Sequence, residues 1–133
     1  MYLLDTNICI YIINQRPVSV VKKIKEFSPP EIKLSAITLA ELEYGIMKSG
    51  NREKNRQAVI HFASAFEIID FTEADAEVFG IIRADLEKRG QIIGPYDMQI
   101  AAQALSRKLV LVTNNVKEFC RIHNLGIENW VEE

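Results

Sequence analysis

Long apolar runs are missing from this chain: no stretch approaches the roughly 18 consecutive apolar residues of a membrane-spanning helix. A basic leader with a small-residue cleavage site is missing too, so a cytoplasmic protein is expected. Cysteine is scarce. Cys9 and Cys120 stand apart with no CxxC pair, which excludes a disulfide scaffold, and both are expected to be buried thiols. His61 and His123 have no ligand partner at metal spacing, so zinc is not expected. There is no basic excess either, because 16 basic and 18 acidic side chains give a formal charge of −2. Proteins that hold nucleic acid mainly by neutralising phosphates show the opposite balance.

What the chain does have is material for a core. With 48% hydrophobic residues over 133 positions, disorder is excluded and one domain, 1–133, is expected. A chain this long can bury roughly two-thirds of its unfolded surface.

Short apolar runs alternate with helical patterns, and no repeat or linker divides them. Tyr2–Leu4 reads as a strand ending at Asp5. Val18–Phe27 reads as a helix stopped before Pro29 and Pro30, since proline cannot continue one. Ile32–Ser35 is a second strand. Thr38 and Glu41 have the T-x-x-E spacing of a capping box, which would open a helix running toward Gly45. Val59, Phe62, Ala63 and Phe66 recur at helical spacing, and Phe66–Ile69 makes a third strand. Thr72 is expected to cap a helix with Val78, Phe79, Ile82 and Leu86 on one face, closed by Gly90. Gly94-Pro95 starts another helix, extending to about Arg107. Leu109–Val112 suits a strand buried on both faces, and a short helix at Val116–Phe119 and a strand near Ile127 follow.

Cys9–Ile13 has two readings. Its isoleucines favour a strand, whereas Asn7 just before it could cap a buried helix. The β–α alternation favours the helix, and with it a three-layer α/β/α fold around a mainly parallel central sheet.

In such a sheet, ligands bind beyond the carboxyl ends of the strands, where strand order reverses. Asp5, Glu41 and Thr113-Asn114-Asn115 fall at that edge if the strands are parallel; Asp97 joins them if its helix starts there. Each also has a local explanation. Asp5 and Asn115 could be helix caps, Glu41 the partner of Thr38 in a capping box, and Asp97 a first-turn acid complementing the helix dipole. Convergence is more telling than any one of them. Three carboxylates aimed into one crevice repel one another and need a counter-ion, and an oxygen-only set suits Mg²⁺ or Mn²⁺. Such ions act on phosphates, which points to phosphodiester hydrolysis.

These residues carry a family resemblance. Asp5-Thr6-Asn7 resembles the opening D-T-N of PIN-domain ribonucleases, and Ser35–Leu42 contains Glu41 where that family has its second acid. Ile93–Asp97 is similar to the segment carrying the third acid, and Leu111–Asn115 with Glu118-Phe119 to the closing motif. Over its whole length the chain resembles VapC-type toxins of bacterial toxin–antitoxin pairs. The resemblance implies a Mg²⁺-dependent endoribonuclease (Mn²⁺ a possible substitute), usually a homodimer, silenced by a VapB-type antitoxin whose C-terminal segment occupies the active-site groove. It implies structured RNA as substrate, commonly tRNA cut in the anticodon region. Asp5, Glu41 and Asp97 would be catalytic and metal-binding. Asn115 would be a further catalytic position, neutral where many members carry a fourth acid. Asn7, Thr113 and Asn114 would bind or position the substrate.

RNA contact would then depend on local charge. From Arg16 to Arg56 there are nine bases and five acids, whereas Glu67 to Glu87 holds seven acids and one base. Lys48, Arg52, Lys54 and Arg56 are candidate backbone contacts, unless they are simply solvated helix faces. Ile8–Ile13 with Tyr11 is a candidate dimer or antitoxin surface, if not core. Haloacid dehalogenase phosphatases need a D-x-D where Asp5-Thr6-Asn7 stands, and receiver domains need paired acids and a late lysine that are not here. A PIN-like binding module without activity is the remaining alternative.

Overall fold

The protein is described from a computed structural model over residues 1–132. Five short strands form its sheet: β1 (Tyr2–Leu4), β2 (Ile32–Ser35), β3 (Glu67–Ile69), β4 (Val110–Val112) and β5 (Ile127–Glu128). They lie in the order β3-β2-β1-β4-β5, and every neighbouring pair is parallel. The helices are α1 (Thr6–Asn14), α2 (Val18–Ile24), α3 (Ala36–Lys48), α4 (Arg52–Ala63), α5 (Glu73–Lys88), α6 (Pro95–Ser106) and α7 (Val116–Phe119).

Strand alternation explains the layers. Leu3 and Leu111 enter one core with Ile82 and Leu86 of α5, Met98 and Ile100 of α6, and Phe119. Leu4, Leu34 and Val112 enter the other with Ile8 and Cys9 of α1, Val20, Phe62 and Trp130. Successive side chains on a strand point to opposite faces, so apolar pairs such as Leu3-Leu4 require cover on both. From β1 the chain steps outward to β2 and β3, then returns to place β4 on the far side of β1. The reversal between β1 and β4 is where a crevice opens at the carboxyl ends.

Cys9–Ile13 is helical. Asp5, not Asn7, is the N-cap of α1, its Oδ1 accepting from the Ile8 amide at 2.9 Å. Burial of Ile8 and Cys9 against the sheet overrides the strand preference of the isoleucines.

The capping box at Thr38 and Glu41 does not form. Ser35, the last residue of β2, caps α3 by accepting from the Ile37 amide at 2.9 Å. That starts the helix at Ala36 and places Thr38 and Glu41 inside it, turned toward α1. Buried Gln103 accepts from the same Ser35 hydroxyl and donates to the Asp70 carbonyl at 3.2 Å, joining α6 to the ends of β2 and β3.

Three smaller expectations change. The helix at Val18 ends at Ile24 rather than Phe27, which leaves the Phe27 ring to stack on Trp130 at 5.4 Å and 8°. Phe66 belongs to neither α4 nor β3; it lies between them, its ring 5.3 Å from that of Phe62. Cys120 is exposed, because α7 is a single turn that buries Phe119 and leaves the next residue outside. Elsewhere Thr72 and Asp75 make the expected cap of α5, here as a full capping box. Among the described residues no helix is long and apolar enough to cross a membrane.

Candidate active site

Asp5 anchors the crevice. It is only 5% exposed, yet both carboxylate oxygens are used: Oδ1 caps α1, and Oδ2 accepts from the Thr113 hydroxyl at 2.5 Å. Thr113 follows β4 and is itself held, its Oγ1 accepting from the Asn115 amide at 2.9 Å. The Asp5 amide donates to the Val112 carbonyl at 3.0 Å, so the β1–β4 ladder delivers both residues to one point. Burial raises the Asp5 pKa; bonds from Thr113 and Ile8 oppose this, and the charge of Glu41 adds to it.

Glu41 reaches the crevice from the second turn of α3. Its Oε1 accepts from the Thr6 hydroxyl at 2.6 Å, and the Thr6 oxygen also lies 3.1 Å from that of buried Thr38. Asp97 comes from the first turn of α6, behind Pro95. Desolvation first, then the charges of Asp5, Glu41 and Glu118, push its pKa up to about 6. All four influences have one sign. Asp97 therefore reports a crevice crowded with negative charge.

Asp5, Glu41, Asp97 and Thr113 are thus brought together from the starts of α1 and α6, the second turn of α3 and the end of β4. Asn115 is half-buried beside Thr113 at the N-cap position of α7, but its side chain makes no cap bond. Asn7 is exposed and faces the adjoining cavity. Asn114 is exposed, and its Oδ1 accepts from the Asn129 amide at 3.3 Å. Two members are visible in the sequence only as parts of motifs and carry no role there: Glu118, in the closing motif one helical turn beyond Asn115, and Thr6, the middle of D-T-N.

The oxygen-only donors and the accumulated like charge fit a hard divalent cation. Among the described residues, no three acidic, histidine or cysteine side chains are gathered closely enough to hold an ion by themselves. Mg²⁺ ordinarily keeps several waters and is bound through one or two carboxylates plus substrate phosphate, so such a closed set is not required for it.

Beside the acids lies a cavity of about 510 Å³, lined by Thr6, Asn7, Ile10, Glu41, Tyr44 and Tyr96. The basic stretch is partly spent on its own acids, Arg56 meeting both oxygens of Glu43 at 2.8 and 2.9 Å. The Lys48 ammonium stands 5.3 Å over the Tyr44 ring. Of the Ile8–Ile13 segment, Ile8 and Cys9 are core, and Ile10 is the one exposed residue.

Comparison with known proteins agrees with this architecture. The PIN domain family model matches residues 2–125. The chain is 45% identical over 131 residues to Ribonuclease VapC2 of Rickettsia felis, covering 98% of each protein. It is 40% identical over 129 residues to the tRNA(fMet)-specific endonuclease VapC of Shigella flexneri, covering 97% of each. Its fold superposes with a TM-score of 0.92 on a chain of the crystal structure of VapBC2 from Rickettsia felis bound to a promoter DNA fragment, at 44% identity and 98% coverage of both.

Proposed function

Since the chain belongs to the PIN-domain VapC ribonucleases, the toxins of toxin–antitoxin pairs, we propose that it is a Mg²⁺-dependent endonuclease of structured RNA, with tRNA cut in the anticodon region as its substrate. The observation that carries this reading is Asp97, its pKa pushed up to about 6 by burial and three carboxylates at the sheet's switch point. A site that concentrates anionic charge gains from a bound cation and, through it, from an anionic substrate. Mg²⁺ (or Mn²⁺) would activate water and stabilise charge on the displaced oxygen.

The chain's own residues divide the remaining work. Asp5, fixed by Ile8 and Thr113, has no rotational freedom to lose and presents a preset ligand. Asp97 is half-buried and would be a second ligand, while Glu41, held by Thr6, adds its charge to both. Asn115 adds an amide that can hold a water without adding charge. Asn7, Thr113 and Asn114 are assigned to positioning: Thr113 through Asp5, Asn7 from the cavity wall, and Asn114 from the outer rim. The relatives solved as VapBC complexes support a VapB-type antitoxin as partner, and the family likeness supports a cytoplasmic homodimer.

The test is cleavage of tRNA(fMet) by the purified protein with Mg²⁺, with EDTA and an Asp97→Asn variant as controls, followed by sequencing of the RNA ends. A defined cut that needs both the ion and Asp97 is expected. Binding of the RNA without a cut would instead make the protein a silent module and overturn the reading.

A further inference from the structure

The cavity beside the acids shares Thr6 and Glu41 with the crevice, and the rest of its lining is built for a flat ligand. Its walls come from the start of α1, the middle of α3 and the start of α6. Tyr44 and Tyr96, on two of these helices, are 64% and 58% exposed, unusually open for such large rings. Tyr96 precedes Asp97, and Tyr44 stands one turn after Glu41. Anything resting on the two rings therefore lies against the acid crevice. Ile10 adds an exposed aliphatic wall, and the Asn7 amide supplies a donor and an acceptor. One turn past Tyr44, Lys48 holds its ammonium over that ring. An apolar π-surface lined by an amide, with a cation held at one of its rings, matches a nucleobase and its phosphate.

We propose that this cavity is the subsite for one unpaired nucleobase flanking the scissile phosphate, stacked on Tyr44 and Tyr96 with Lys48 at the neighbouring phosphate. The proposal rests on the RNA-cleavage reading and deepens it. A base can enter only if it is splayed out of a helix, so the subsite selects a loop over a duplex.

The probe is a labelled anticodon stem–loop hairpin of tRNA(fMet), bound in EDTA to the protein and to Tyr44→Ala, Tyr44→Phe, Tyr96→Ala and Tyr96→Phe variants. Each is measured with the intact loop and with loops made abasic at one position in turn. The alanine variants should lose about 5- to 150-fold in affinity, the range of a stacked base, while the phenylalanine variants keep it. At one loop position, removing the base should cost the parent a similar factor and cancel the effect of the alanine substitution, because the two changes delete the same contact. Unchanged binding by both alanine variants overturns the subsite. So does a loss that persists at every abasic position, or one accompanied by a changed oligomeric state in sedimentation, which would make the tyrosines a contact between copies of the chain. A parent protein that cleaves the hairpin with Mg²⁺ while the alanine variants bind normally rejects only the subsite. A parent that neither binds nor cleaves it overturns the RNA reading and the subsite with it.

Discussion

Asp97→Asn separates charge from shape at the centre of the crevice. The asparagine is close to an isostere of the protonated carboxyl, so it removes the repulsion and keeps the volume. The Asp97 pKa moves from 3.8 in a free side chain to about 6 in the fold. At about 1.4 kcal/mol per pKa unit this corresponds to about 3 kcal/mol as an upper limit. Asp97 is half-buried, and screening by solvent reduces the figure to about 1–2 kcal/mol. Its sign follows from proton linkage. Between about pH 4 and pH 6 the folded protein binds the proton that the unfolded chain has lost, so stability falls as pH rises through that window. Above it the whole penalty is present; below it both states are protonated and the penalty is gone.

In EDTA at pH 7 the Asp97→Asn protein should therefore be more stable than the parent by about 1–2 kcal/mol, or about 3–8 °C in Tm. The gap should close toward pH 4. Millimolar Mg²⁺ should reverse the order at pH 7, because only the parent has the full ligand set to gain from the ion. RNA cleavage should be lost. Unfolding followed by circular dichroism across this pH range, with and without metal, tests each part. An Asn variant that is less stable at pH 7, or whose advantage does not change with pH, would refute the electrostatic account of the crevice.

Three further substitutions address its other walls. Glu41→Gln leaves an oxygen that can still accept from Thr6, so stability should stay within about 0.5 kcal/mol while cleavage falls steeply; full activity would return Glu41 to a structural role. Thr113→Val strips the buried Asp5 carboxylate of a donor and should cost about 1.5–3 kcal/mol at pH 7 in urea unfolding, with a smaller loss at acid pH, where Asp5 is neutral. Equal losses at both pH values would mean that packing, not the hydrogen bond, is responsible. Asn115→Asp should lower Tm in EDTA and raise the gain from Mg²⁺ or Mn²⁺; a change in neither, by melting and calorimetry, would place Asn115 outside the site.

Most of the fold could be read from the chain because its elements are short and sharply punctuated. Pro95 opens α6, Thr72 and Asp75 cap α5, and the apolar run at Val110–Val112 needed no partner to be recognised. Thr38 and Glu41 satisfy a local spacing rule, but Ser35 stands at the strand end and takes the cap first, leaving Glu41 to a partner 35 residues away. Phe27 fails in a similar way, because its helical spacing continues past the point where stacking on Trp130 decides the outcome. Cys120 fails for another reason: its apolar surroundings suggest burial, but the single turn of α7 leaves it outside.

The site was half legible for a different reason. Asp5 is legible as an acid at a strand end, Glu41 as one shortly after a strand and Asp97 as one in the first turn of a helix, but whether they meet depends on register, which is hidden in the sequence. Alternation fixes register only when one face of a strand is polar. Here Leu3-Leu4 and Leu111-Val112 are apolar on both faces, so a one-residue slip would break no hydrophobic pattern. What a slip would break is polar: pairing Leu4 with Val112 is what sets Asp5 beside Thr113 and lets its buried carboxylate accept the hydroxyl. An unpaired carboxylate in that position would cost more than any single apolar contact nearby. Cap and acid are therefore not rival roles for Asp5. The same two oxygens that hold α1 and the end of β4 in place also align the crevice, so the residue proposed as a preset ligand also helps to set the register that creates the site.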